Sequence, residues 1–272
     1  MANLIALQMV SEPDIEANFT QLEHILRGLS IQTPTLVVLP ECFAYFGGKD
    51  KSLLDIAEEP NNGPIQSRLT QLAKAYGVWL VAGTIPLKVE GESRFTASSL
   101  LINDKGDVLC DYQKIHLFDV QVDDNTGSYQ ESKYTKAGTE LKVIETPFGR
   151  LGMCVCYDIR FAGMFNAMAQ IDVLVVPAAF TQKTGEAHWH SLLQARAIEN
   201  QCYVVAANQG GEHANGRQTF GHSCIISPWG KILAEIDYGA GSISSSLDFA
   251  LCEQIRTSMP VAQHNKFRSH LD

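Results

Sequence analysis

No apolar run in this 272-residue chain approaches the ~20 residues that span a bilayer, so no membrane-spanning segment is expected. The N-terminus, MANLIALQMVSEPD, has neither a basic n-region nor a small-residue cleavage site, and reads as a first strand rather than a secretion signal. Positive charge is scarce. Lys plus Arg number 21 against 30 Asp plus Glu, a net charge of −9. Such a surface repels phosphate backbones and anionic lipid, which argues against nucleic acid and membrane as partners. Cysteine occurs seven times, an odd and scattered set. Cys154 and Cys156 lie two apart on one apparent strand, a poor geometry for a disulfide. Free thiols in a reducing compartment, the cytoplasm, are the expectation. Internal repeats, low-complexity stretches and linkers are all lacking, so residues 1–272 read as one domain.

What is present is an alternation of apolar runs and amphipathic stretches, with 45% hydrophobic residues and enough length to bury a large core. LIALQMV (4–10), TLVVLPE (35–41) and VWLVAGTI (78–85) read as strands. Asp14 to Gly28 puts Ile15, Phe19, Leu22, Ile25 and Leu26 on one helical face. Pro64 to Tyr76 is a second helix, with proline at its start and Gly77 at its end. ASSLLIN and VLCDYQK flank an Asp104-Lys105-Gly106 turn. Residues 119–140 are polar and read as a long loop, which in a compact domain is usually functional. LKVIETPF and RLGMCVC follow around Gly149. Then come a short helix near 162–170, the strand DVLVVPAAF, a helix at about 186–200, the strand CYVVAAN, and a hairpin of GHSCIIS with KILAEI across Pro228-Trp229-Gly230. The mixture of βα alternation and hairpins fits an α/β protein with two sheets between helical layers.

Three reactive side chains close strongly apolar runs: Glu41 ends LVVLPE, Lys114 ends VLCDYQK, and Cys156 ends RLGMCVC just before a helix. Singly, each has a bland reading as turn residue, solvated lysine or small hydrophobe. Jointly they form a chemical set. A thiol needs a base or cation to become a thiolate, a glutamate can carry that proton to a leaving nitrogen, and a lysine can stabilise a tetrahedral oxyanion.

L-P-E-C-F around Glu41, Y-x-K-x-H-L-F-D around Lys114 and G-x-x-x-C-Y-D-x-R-F around Cys156 resemble the three motifs of the nitrilase superfamily, in that order, over essentially the whole chain. The resemblance implies a four-layer α-β-β-α sandwich, commonly paired into homodimers or larger homo-oligomers, with no metal or organic cofactor. It implies Cys156 as nucleophile, Glu41 as general base and acid, Lys114 and the backbone N–H of Tyr157 as oxyanion donors, and Glu131 as a supporting carboxylate. Asp158 and Arg160 would be structural. The family's usual Pro-Glu after R-F is replaced by Ala162-Gly163, which removes no catalytic group but alters the start of the next helix. T-G-x-A-H-W at 184–189, the run at 195–207 and G-H-S-x-I-I-S-P-W-G at 221–230 resemble the amidase branch, closest to deaminated glutathione amidases and, second, ω-amidases. The implied reaction transfers a 2-oxoglutaryl-type acyl group from a small amide to water through a thioester. The leaving group is cysteinylglycine in the first case and ammonia in the second. Lys183, His188 and Arg217 are candidate substrate-carboxylate binders by their place in loops or helix starts.

Rival chemistries are weaker. His116, His188, His190 and His222 are available for a Cys-His enzyme. Cys154-x-Cys156 with His188-x-His190 offers zinc only an unusual ligand spacing. A catalytically dead binding module would not need Glu41, Lys114 and Cys156 intact.

Overall fold

The computed structural model describes residues 2–31, 34–124 and 126–269. In chain order the first half gives β1 (Ala2–Gln8), α1 (Ile15–Arg27), β2 (Thr35–Val38), α2 (Pro64–Tyr76), β3 (Trp79–Val81), β4 (Ile85–Lys88), β5 (Phe95–Ile102), β6 (Val108–Gln113), β7 (Asp119–Gln121) and β8 (Ser128–Gln130). The second half gives β9 (Val143–Thr146), β10 (Gly149–Met153), α3 (Ala162–Ala167), β11 (Val173–Ala178), α4 (Gln182–Asn200), β12 (Tyr203–Asn208), β13 (Ser223–Ile226), β14 (Ile232–Ile236), β15 (Gly241–Leu247), α5 (Phe249–Ser258) and α6 (Val261–His264).

Two sheets carry the architecture. The first has the order β15-β1-β2-β3-β5-β4, with β6 also pairing β5; the second is β14-β13-β12-β11-β10-β9. Each has a parallel centre, β1-β2-β3 in one and β10-β11-β12 in the other, flanked by antiparallel strands.

The period of two along a strand explains the layering. Leu4, Ala6, Leu36 and Val38 share a buried cluster with Val173, Val175 and Val204 of the second sheet, whereas Ile5, Leu7, Val37 and Leu39 pack with Phe19 and Leu22 of α1 and Leu69 and Leu72 of α2. The far face of the second sheet is covered by Trp189, Leu193 and Ala197 of α4 and Phe165 of α3. The result is the expected α-β-β-α sandwich. Each fully buried Leu, Val or Ile contributes roughly 1.5–3 kcal/mol. No helix among the described residues is long and apolar enough to cross a membrane.

Several local expectations shift. VWLVAGTI is not one strand: it breaks between β3 and β4 at Gly83, whose φ is +51°. A Cβ there would meet the carbonyl oxygen of Pro40 at 2.0 Å, so the bend locks the turn after β2 against the turn after β3. The 119–140 loop contains the hairpin β7–β8 and a 3-10 turn, Glu131–Lys133. Helix α4 starts at Gln182, capped by the Thr181 side chain accepting from the N–H of Thr184. β10 ends at Met153, so Cys156 opens a 3-10 turn (Cys156–Arg160) rather than closing a strand.

Candidate active site

The ends of β2, β6, β10 and β11 deliver the site. Lys114, just past β6, is 1% exposed, and its Nζ donates to Glu41 Oε1 at 2.8 Å and to Glu131 Oε2 at 2.9 Å. A buried ammonium is tolerable only with such partners. Burial works against its charge, but Glu131 and Glu41 outweigh it and hold Lys114 well above the usual lysine range. Glu131, in turn, is fixed by the N–H of Phe118, which donates to Oε2 at 2.6 Å. Its carboxyl is raised, first by burial and also by the charge of Glu41, against the pull of Lys114.

Glu41 is braced from three sides. Its Oε2 accepts from the N–H of Ala179 at 3.0 Å, and its backbone carbonyl accepts from Gln209 Nε2 at 3.0 Å. The next residue, Cys42, donates its N–H to Thr84 Oγ1 at 2.8 Å. Cys156 stands against Glu41 and the N–H of Ala179. Burial, then the charge of Glu41, push its thiol well up, while Lys114 and the Ala179 N–H pull it down. On balance the site favours the thiol form of the resting sulfur. Its φ of +48° is in the left-handed region, rare for a non-glycine residue and of a kind that clusters at functional sites.

Asp158 is fully buried and ties the 3-10 turn to the lysine strand. Its Oδ2 accepts from Tyr112 Oη at 2.6 Å and from the N–H of Val155 at 2.9 Å. Its Oδ1 accepts from the N–H of His116 at 3.0 Å and lies 2.7 Å from His116 Nδ1. His116 is stacked on Phe161, so its partners are structural and not Cys156. Tyr157, directly after Cys156, sits at the start of the 3-10 turn, where backbone N–H groups lack helical partners.

The reactive groups face one cavity of about 150 Å³. Glu41, Lys114, Glu131, Cys156, Tyr157 and Arg217 all line it. Lys183 and His188 do not. Lys183 instead pairs with Asp123 at 2.6 Å in an exposed bridge, and His188 Nδ1 lies 3.2 Å from Arg160 Nη1. Arg217 stands over Tyr129 and pairs with Asp50 at 3.1 Å. Sequence reasoning missed Arg160 as a wall residue. Its guanidinium lies 5.2 Å over Phe180, and among the described residues no carboxylate lies within 4 Å of it. It also missed Gln209, Thr84 and Ala179, which meet Glu41 and its neighbour from across the fold; only folding reveals them.

A family model described as carbon–nitrogen hydrolase matches residues 4–257. The chain belongs to the carbon–nitrogen hydrolase family. It is 42% identical to a deaminated glutathione amidase of Yersinia enterocolitica, covering 99% of this chain and 95% of that protein. Among solved structures, Saccharomyces cerevisiae Nit3, a member of branch 10 of the nitrilase superfamily, superposes with a TM-score of 0.86 at 29% identity, covering 98% of this chain and 97% of that one. The Caenorhabditis elegans NitFhit protein superposes at 0.88 with 34% identity, covering 97% of this chain, which spans 65% of that longer chain. Membership makes this protein an enzyme, a hydrolase of the amidase kind acting on carbon–nitrogen bonds other than peptide bonds.

Proposed function

We propose that the chain, acting as one hydrolase domain, cleaves deaminated glutathione to 2-oxoglutarate and cysteinylglycine through a thioester on Cys156. The observation that carries the mechanism is the buried cluster in which Lys114 is shared by Glu41 and Glu131 beside the Cys156 thiol. The thiol is neutral at rest, so Glu41 must take its proton as sulfur attacks the amide carbon. The same carboxyl then delivers that proton to the leaving nitrogen. Lys114 and the N–H of Tyr157 meet the tetrahedral oxyanion. In the second half Glu41 draws a proton from water as it attacks the thioester, and returns that proton to the departing Cys156 sulfur, which frees the acid and restores the thiol. Lys114 stays charged throughout, held by Glu131, and so serves as an electrostatic donor and not as a base. Glu131 anchors Lys114.

The substrate assignment rests on the names of the relatives and on two guanidiniums in the cavity wall, Arg160 and Arg217. Arg217 exchanges Asp50 for a substrate carboxylate, and Arg160, among the described residues, has no carboxylate to exchange. A substrate with two carboxylates fits two such cations. The second reading, ω-amidase action on 2-oxoglutaramate with release of ammonia, calls on fewer of them. A small-molecule substrate, no nucleic-acid partner, a cytoplasmic setting and pairing into a homodimer or larger homo-oligomer complete the reading. The exposed Ile198 and Trp229 give apolar surface that supports pairing. Specificity constants for the two amides, measured side by side, test the assignment. A higher kcat/KM for deaminated glutathione, lowered by Arg160→Ala mainly through KM, is expected. A preference for 2-oxoglutaramate that is indifferent to Arg160 refutes it.

A further inference from the structure

Away from the cavity, α4, the approach to β13 and β14 bring together a second group of reactive side chains. His190 Nε2 and His222 Nδ1 lie 2.8 and 2.7 Å from one and the same oxygen, Glu235 Oε1. Asp237 Oδ1 lies 4.0 Å from His222 Nδ1. The ligand atoms of His190, His222 and Glu235 all fall within 4.8 Å of one another. None of these residues lines the catalytic cavity, and nothing in the hydrolytic mechanism uses them.

The backbone and rings are fixed before any ligand arrives. His222 has a φ of +52°, held from both sides: its N–H donates to the carbonyl of Asp237 at 2.9 Å, and its carbonyl accepts from Trp189 Nε1 at 2.8 Å. Phe220 stacks on the His222 ring at 4.2 Å and makes a T-shaped contact with His190 at 5.9 Å. Each side chain is only about a quarter to a third exposed, 31%, 28% and 26% for His190, His222 and Glu235.

We propose that His190, His222 and Glu235 form a binding site for one borderline divalent cation, zinc or a close relative, separate from the catalytic centre. Imidazole and carboxylate ligands suit zinc, nickel, cobalt and copper, whereas magnesium and calcium call for oxygen ligands alone. With bonds of about 2.0–2.1 Å to nitrogen and oxygen, tetrahedral ligand atoms lie roughly 3.3–3.4 Å apart. The nitrogen–oxygen separations at Glu235 need to open by only about half an ångström for the ion to replace the shared protons. Two nitrogens and one oxygen fill three positions, and the fourth opens toward the exposed Asp237 carboxylate or water. Bound there, the ion would tie α4 to the β13–β14 hairpin. It would also sit one residue along α4 from Trp189, which packs on the cavity-wall residue Phe180 at 4.8 Å between centroids.

The test is zinc chloride titrated calorimetrically into the chelator-stripped full-length protein, with thermal unfolding followed alongside. The parent should bind one zinc per chain and unfold at a higher temperature with it. His190→Gln and Glu235→Gln, which keep size and polarity, should weaken binding by more than the roughly 10–100-fold that loss of an outer metal partner costs, and abolish the thermal shift. Cys156→Ala should bind zinc as the parent does. No binding by the parent, undiminished binding in His190→Gln and Glu235→Gln, or loss of binding in Cys156→Ala alone would each overturn the proposal.

Discussion

Replacing Lys114 by Met removes more than an oxyanion donor. The ammonium lies 2.8 Å from Glu41 and 2.9 Å from Glu131, with all three largely out of solvent. At an effective dielectric of about 20, a charge pair at 4 Å is worth about 4 kcal/mol, and both pairs vanish together. The two carboxylates are left facing one vacated point, and burial already raises Glu131. Like charges so close cannot both stay ionised, so the pair retains a proton to higher pH. The loss then has two parts. The missing donor costs on the order of 10²–10³ in kcat. Wherever the retained proton sits on Glu41, the base is disabled as well. Lys114→Met should therefore show kcat/KM at pH 7 reduced by more than about 10³, the product of these effects. Activity should rise about tenfold per pH unit on the acidic limb, shifted to higher pH than in the parent. The Cys156 thiol should titrate higher, because Lys114 is one of the groups pulling it down. Single-turnover rates across pH, with thiolate absorbance, measure all three. A variant within tenfold of the parent, with an unmoved pH profile, refutes the reasoning.

Cys156→Ala should abolish turnover with unfolding unchanged, whereas Cys154→Ala should keep most activity, because Cys154 is buried with its sulfur turned to the carbonyl of Val175 at 3.4 Å; circular dichroism and product release compare them. Exhaustive chelation should leave the amidase rate unchanged, since every proposed step is carried by protein groups; a chelated enzyme revived only by zinc contradicts this. His213 is buried between the carbonyl of Ser11 at 2.9 Å and Thr219 Oγ1 at 2.8 Å, and burial lowers its pKa from 6.5. A depressed folded pKa contributes stability that is present above the unfolded value near 6.5 and lost as pH falls through the folded value. Denaturant midpoints should therefore drop below pH 6.5, and His213→Gln should flatten that part of the curve; an unchanged slope in the variant counts against the buried neutral imidazole.

How far the sequence carries depends on whether the signal is local. The bounds of α2 are set by Pro64 and Gly77, and proline at N1 with a left-handed glycine cap is what the structure shows. The doubly buried strands TLVV and VLVVPA read as apolar runs because both their faces are covered. The start of α4 was obscured by Gly185, where a Cβ would meet the Phe220 ring at 2.3 Å; tertiary packing, not helix propensity, selects glycine there. β15 went unseen because GSISSSL is serine-rich. It pairs β1 antiparallel along seven residues and alternates half-buried with exposed positions until Leu247 enters the core. At the site, Glu41, Lys114 and Cys156 stand out because each reactive group closes an apolar run. What holds them does not: Ala179 reaches Glu41 across 138 positions, and Gln209 across 168. Such contacts leave no periodicity. The motif around Cys156 suggests a structural role for Arg160, yet its place is the cavity wall.

The central claim is a thioester on Cys156, and trapping it is the most direct test. The enzyme is mixed with deaminated glutathione, quenched in acid within one turnover, digested and mapped by mass spectrometry. The account predicts a hydroxylamine-sensitive acyl group on Cys156 alone among the seven cysteines. An acyl group on Cys42 or Cys154, or turnover with no acyl-enzyme at any quench time while Cys156→Ala stays active, would contradict it.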